Sequence, residues 1–252
     1  MADRHQLLTI LDDLLQPDQF RDYGPNGLQV EGAIEVRSIV TGVTASLALI
    51  EAAVRSGADT VLVHHGLFWR GQDGRVTGWM RQRLAVLLAH NINLLAYHLP
   101  LDAHPQWGNN AQLGQVLGLR ADARFGEQDL GFLGRRHDGG GFDDAQSLGN
   151  MIASALARPV TVVDGTRGPI RRIAWCTGGA QSYFEAAIEA GADAFITGEI
   201  SEPQAHYARE SGVAYVACGH HASERYGVCA LGGHVAELLS VAHTFIDIDN
   251  PA

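Results

Sequence analysis

The sequence predicts an α/β protein made of two similar βαβ-containing lobes that arise from an internal duplication. Short apolar runs alternate with helically spaced ones along most of the chain, which is the pattern of βαβ units and a largely parallel sheet. The segment Glu51-Ala-Ala-Val-Arg-Ser-Gly-Ala-Asp59 aligns without a gap to Glu185-Ala-Ala-Ile-Glu-Ala-Gly-Ala-Asp193. Each copy follows a Thr-Gly pair (Thr41-Gly42, Thr177-Gly178) and precedes a short apolar strand. We therefore prefer duplication to a pair of generic helix–Gly–strand junctions, which glycine's frequency at helix C-caps would also produce. Finally, several predicted strands end in His, Asp or Glu, and in open α/β sheets ligands gather beyond the carboxyl ends of strands.

In chain order, residues 4–15 place Leu7, Leu8, Ile10, Leu11, Leu14 and Leu15 at helical spacing, and Pro17 ends this amphipathic helix. YGPNGLQVEG, residues 23–32, is rich in Gly, Pro and Asn and reads as a loop, a kind of segment that often carries function. Residues 36–43 and 60–64 read as buried strands with a helix over 47–55 between them. A helix over 78–89 and a strand over 92–98 follow. Residues 121–141 are Gly-rich and charged, and their apolar centre, Leu130 to Leu133, fits an edge strand. Asp143 or Asp144 caps a helix running to Ala157, ahead of a strand over 160–163. These elements divide the chain into a first α/β lobe, 1–120, a connecting segment of helix and edge strands, 121–170, and a second lobe, 171–252, the lobes forming one compact unit.

Composition excludes several function classes. A net charge of −10 lacks the clustered Lys and Arg that hold phosphate backbones, so nucleic acid is a disfavoured partner. The first residues show no apolar h-region, and no apolar run approaches the length of a membrane span, which predicts a cytoplasmic protein without membrane contact. Cys176, Cys218 and Cys229 form no C-x-x-C pair and read as small core residues in a reducing compartment.

The chemistry sits at three strand ends. Thr60-Val-Leu-Val63 runs into His64-His65-Gly66. Adjacent residues of an extended strand point to opposite sides, so these imidazoles serve two ions more readily than one, unless the strand has turned. A pair of hydrogen-bonded loop histidines is the bland alternative. Residues 94–96 lead into His98-Leu-Pro-Leu-Asp102, and residues 213–217 lead into Gly219-His220-His221-Ala-Ser-Glu224. If a helix begins there, His220 and Glu224 share one face and can reach one ion. His98 fits either a structural role or a group that supports a ligand or faces substrate, and His221 points away from the His220 face. His104 is left open. Thr44 either serves the site or caps a helix, while Trp69 and Trp107 either stack on a planar substrate or pack as ordinary buried aromatics.

Taken together, YGPNGLQVEG, TGVTAS, GADTVLVHHG, YHLPLDAHPQWGNN, CTGG, GADAFITGE and GHHASER closely resemble the NGG-interacting-factor-three-like family (type 2 GTP cyclohydrolase 1 family), and in particular its short bacterial YbgI-type members, over nearly the whole chain. The resemblance implies a two-metal centre between two related lobes, with His64, His65, Asp102, His220 and Glu224 as ligands. It also implies a toroidal homohexamer and, by its name, a purine nucleotide substrate. No P-loop or GxGxxG fingerprint independently marks nucleotide binding.

Nitrogen and oxygen donors without thiolate suit Zn²⁺, Fe²⁺, Mn²⁺, Co²⁺ or Ni²⁺. Such a centre predicts a metal-dependent hydrolase acting on a small molecule, with a water on the two ions as nucleophile and no catalytic side chain assigned. A metal-delivery or regulatory protein is the alternative, and a DNA-processing phosphodiesterase is disfavoured by the acidic charge.

Overall fold

The computed structural model describes residues 2–165 and 168–252; Thr166 and Arg167, in the predicted connecting segment, lie outside the described residues. The chain forms two compact units, Met1–Gly108 with Gly227–Asp249, and Asn109–Tyr226 with Asn250–Ala252.

In the first unit, the short strands β1 (Ala2–Asp3) and β3 (Glu35–Val36) pair with each other. Helix α1 (Arg4–Leu15) begins at Asp3, whose carboxylate accepts from the Gln6 amide at 2.9 Å while the Gln6 side chain accepts from the Asp3 amide. This reciprocal cap satisfies two backbone donors that the helix itself cannot. Its Leu7, Leu11 and Leu15 are buried, as their spacing predicts. The main sheet contains β2 (Gly27–Val30), β4 (Ser38–Thr44), β5 (Thr60–His65) and β6 (Asn93–Ala96). Connecting them are α2 (Leu47–Ser56), capped by Ser46, α3 (Gly78–Ala89) and, after β6, the short α4 (Leu99–Ala103).

Side chains of a strand alternate between faces, and the core follows that period. Val61 and Val63 pack with Leu49, Ile50 and Ala53 of α2. Leu62 lies among Leu7, Leu11 and Leu15 of α1 and Val228, Leu231 and Val235 of a later helix.

The second unit comprises α5 (Asn109–Val116), β7 (Leu119–Phe125), β8 (Gly131–Arg136), α6 (Ala145–Leu156), β9 (Thr161–Val163), β10 (Ile173–Trp175), α7 (Phe184–Glu189), β11 (Ala194–Thr197), α8 (Glu202–Ser211), β12 (Ala214–Ala217) and the first residues of α9 (His220–Leu239). The rest of α9 and β13 (Ala242–Phe245) belong to the first unit, where β13 pairs in parallel with β4. Strand order is β13-β4-β5-β6-β2 in the first unit and β7-β8-β10-β11-β12-β9 in the second. The core of the second sheet is Trp175, Ile196 and Val216 packed on Leu148, Ile152 and Leu156 of α6.

The two aligned segments make the same hydrogen bonds in their own units. The Asp59 carboxylate accepts from the amides of Arg37 and Ser38, and that of Asp193 accepts from Arg171 and Arg172. The Asp59 carbonyl takes the Asn93 amide at 2.9 Å, and the Asp193 carbonyl takes the Ala214 amide at 3.0 Å. In each case one aspartate ties together the starts of three parallel strands.

Three expectations are corrected. Residues 23–32 are not loop throughout, because Gly27–Val30 pairs antiparallel with the otherwise open side of β6. Residues 130–133 do not form an edge strand: β8 lies inside the sheet, between β7 and β10. The edges are β7 and β9, and β7 escapes notice because Arg120, Ala121 and Asp122 are all exposed and a register shift at Ala121–Ala123 breaks its period-2 pattern. Finally, the first sheet is largely parallel as expected, with only β2 antiparallel, but in the second only β10, β11 and β12 pair in parallel, with β7, β8 and β9 added by antiparallel pairing. Asp144, not Asp143, caps α6. Among the described residues no helix is long and apolar enough to cross a membrane.

Candidate metal centre

In the first unit, β5 and β6 deliver His64, His65 and His98 to neighbouring strand ends, and α4 adds Asp102. The His64 and His65 rings lie 4.5 Å apart between centroids, so adjacency in the strand does not separate them. His98 stands 4.9 Å from His64 and 5.6 Å from His65, and ligand atoms of all three residues fall within 4.8 Å of one another.

His64 is fully buried, and its Nδ1 donates to the Tyr97 carbonyl at 3.0 Å. A carbonyl can only accept, so the neutral ring carries its proton on Nδ1 and turns the Nε2 lone pair toward the Asp102 carboxylate, 3.5 Å away. An imidazole nitrogen and a carboxylate oxygen at that spacing are a donor set that fits a divalent cation.

The second unit repeats the pattern. β11 is followed by Gly198-Glu199, and α9 opens with His220 and carries Glu224 one turn on, as the spacing predicts. His220 Nε2 lies 3.3 Å from Glu224 Oε2, and its Nδ1 lies 2.6 Å from Glu199 Oε1. Burial works against the charged ring, but the hydrogen bonds and charges of Glu224 and then Glu199 outweigh it and hold the His220 pKa up at about 9. Gly178, after β10, closes over this pair. A Cβ there would meet Glu224 Oε1 at 2.1 Å, and its φ of +71° disfavours any other residue.

The remaining expectations resolve as follows. Thr44 does not cap α2, a task taken by Ser46; its hydroxyl lies 3.2 Å from His65 Nδ1. Trp69 sits against the site, its ring 5.1 Å from His98 and 5.9 Å from His65. Trp107 instead stacks on His234 at 4.4 Å. His104 Nδ1 accepts the amides of Gln106 and Trp107 and shapes a turn. His221 is buried and its amide donates to the Ala252 carbonyl. Cys176 and Cys218 are buried, and burial pushes the Cys218 thiol up to about 12.

Two acidic residues that hold the candidate-site imidazoles escaped sequence reasoning. Asp22 holds His98 Nδ1 at 2.7 Å, and its carboxyl stays below the usual range because hydrogen bonds from His98, Asn26 and Tyr23 outweigh the opposing effect of burial. Its signal was its place beside YGPNG. Glu199 ends GADAFITGE, at a strand end like that of His65, and that parallel could have found it.

A model of the Duf34/NIF3 (NGG1p interacting factor 3) family matches residues 2–251. A Neisseria meningitidis protein called a GTP cyclohydrolase 1 type 2 homolog is 48% identical, with 100% of both chains covered. Among solved structures, the protein ybgI, of unknown function, matches with a TM-score of 0.95 and 45% identity over 100% of both chains. TTHA1606 from Thermus thermophilus matches with a TM-score of 0.88 and 30% identity, again over 100% of both chains. This chain therefore belongs to the Duf34/NIF3 family.

Proposed function

We propose that this chain is a dinuclear divalent-metal-dependent hydrolase of the cytoplasm. It would act on a nucleotide or related small molecule, as a GTP cyclohydrolase 1 type 2 homologue, and work as a homohexamer. In this reading His64, His65 and Asp102 of one lobe and His220 and Glu224 of the other share one centre that holds two ions. The lobes would descend from a duplication, which the matching hydrogen bonds of Asp59 and Asp193 support. The observation that carries the reading is the convergence of donor atoms at the strand ends: ligand atoms of His64, His65 and His98 lie within 4.8 Å of one another, and Asp102 Oδ1 lies 3.5 Å from His64 Nε2.

Bound ions would supply Lewis acidity toward a carbonyl, ring carbon or phosphoryl oxygen and would lower the pKa of a water. The chain's own residues orient the donors. Tyr97 and Thr44 set His64 and His65, and Glu199 sets His220. Asp102 and Glu224 as ligands would bring two negative charges against four positive ones, with Asp22 and Glu199 one imidazole further out, so the ions themselves would stay electrophilic toward polarisable groups. Trp69 presents an aromatic wall beside His65 and His98.

The family name alone suggests a purine nucleotide. A screen of the metal-reconstituted protein against nucleotides, phosphodiesters and small amides tests the reading, with turnover lost in Glu224→Gln as the expected result. Metal titration by calorimetry should show two ions per chain in the wild type and weaker binding in Glu224→Gln. Equal stoichiometry and affinity would remove Glu224 from the site. A second reading, a protein that stores or delivers ions, draws on His220: a proton held to about pH 9 competes with metal and eases its release. Rapid exchange without turnover above background would favour it.

A further inference from the structure

We propose that Tyr23, Trp69 and Arg70 form a ligand subsite beside His98, one that takes a planar aromatic ring carrying an anionic group. The inference rests on the reading above, in which a small molecule meets the centre, and adds the class of that molecule and the residues that hold it.

Residues 22–25 and 68–70, all in the first unit, line one cavity of about 310 Å³. Small-molecule sites run from roughly 300 to 1,000 Å³, so this one suits a single ring system with a short substituent. Its aromatic residues reach the candidate centre. The Tyr23 ring lies 6.1 Å from that of His98 and the Trp69 ring 5.1 Å, both edge to face with it. Tyr23 is nevertheless 60% exposed, so it offers the cavity a large apolar surface that the chain itself leaves uncovered.

The backbone that carries these rings is fixed. The Arg70 amide donates to the Tyr23 carbonyl at 2.6 Å, Arg70 Nη2 donates to the Asp22 carbonyl at 2.9 Å, and the Trp69 amide donates to Gln72 Oε1 at 3.2 Å. Gly24 allows the two segments to close up, because a Cβ there would strike the Phe68 carbonyl oxygen at 2.4 Å. Aromatic side chains have few torsions to freeze, and a clamped backbone has already met much of the ordering cost that binding imposes.

Arg70 supplies the cation. Of its five donors one goes to the Asp22 carbonyl, which steadies the head and leaves the rest of the fork for a carboxylate or phosphate. The acid in the lining, Asp22, is already committed. Its two oxygens accept from His98 Nδ1, the Tyr23 amide, the Asn26 side chain and the Leu99 amide, which disperses its charge. Two aromatic rings and one arginine thus match a flat ring with an anion attached.

The test uses the full metal-free chain and four probes: GMP and nicotinate, which join a ring to a phosphate or a carboxylate, guanosine, with the ring alone, and ribose 5-phosphate, with the anion alone. Tryptophan fluorescence and saturation-transfer NMR should report binding of GMP or nicotinate through ring protons, the tighter of the two identifying the anion. Guanosine should bind more weakly and ribose 5-phosphate not at all in the same range. Trp69→Leu and Tyr23→Ala should each weaken the ring probes roughly 5- to 100-fold, with Trp69→Phe restoring part of the loss. Arg70→Gln should weaken the anionic probes roughly tenfold or more and leave guanosine unchanged. Thermal melts and Co²⁺ uptake like those of the wild type show that fold and centre are intact. No binding of any ring probe, unchanged affinities in Trp69→Leu and Tyr23→Ala, or equal losses for anionic probes and guanosine in Arg70→Gln overturns the proposal. Ring binding without turnover in the substrate screen would defeat the hydrolase reading and leave the subsite standing, whereas turnover with an unchanged KM in Trp69→Leu would do the reverse.

Discussion

Metal loading at His220 should depend steeply on pH. Glu199 and Glu224 flank the ring and hold its pKa at about 9, so at pH 7 an incoming ion must displace a proton whose pKa lies about two pH units higher. Each unit is a factor of ten, and the apparent affinity of this set at pH 7 therefore lies roughly a hundredfold below its intrinsic value. Affinity should climb about tenfold per unit from pH 7 and flatten above pH 9. His243, another histidine displaced from its usual range, moves down through burial and does not titrate in this window. Calorimetry in two buffers of different ionisation enthalpy counts the protons: about one released per chain, with the ion that His220 takes, at pH 7, approaching none above pH 9. The same shift acts oppositely on the metal-free fold. A raised folded pKa contributes stability that is complete below the unfolded value of about 6.5 and is lost as pH rises through about 9. The melting temperature of the apoprotein should fall over that range while metal affinity rises. Affinity that stays flat between pH 7 and 8.5, without proton release, would refute the reasoning.

Gly178→Ala should cost about 1–2 kcal/mol for the left-handed backbone and displace Glu224, so metal affinity and melting temperature should fall together. Asp59→Ala and Asp193→Ala each leave two strand-end amides without their acceptor. Each should destabilise its unit by about 1–3 kcal/mol in urea unfolding, with metal stoichiometry unchanged in the folded protein. Gly24→Ala must push the 22–26 loop away from Phe68. It should shift the tautomer or chemical shift of His98 in NMR spectra while the His220 resonance stays in place.

Much of this was legible in one dimension because it is local. Leucine spacing and Pro17 define α1, and the apolar runs ending in HHG and HLPLD mark strand ends where ligands gather. The four-residue step from His220 to Glu224 is a property of any helix and was borne out at 3.3 Å. Asp22 and Glu199 were harder to see. A lone acid reveals its purpose only through the imidazole it touches, and His98 lies 76 residues from Asp22 in the chain.

Periodicity and turn chemistry thus determined by themselves that the segments of α1, α2, α3 and α6 become helices and those of β4, β5 and β6 strands, and which side chains stand at their ends. Strand neighbours were settled only in three dimensions. Gly27–Val30 becomes a strand because β6 offers an open side, Leu119–Phe125 takes the edge that β8 was expected to hold, and β13 returns from the far end of the chain to β4. The physical reason is that a backbone N–H or C=O carries no address. Each strand satisfies those groups on whichever unfilled edge the packed core brings within reach, and that edge can come from any distance along the sequence.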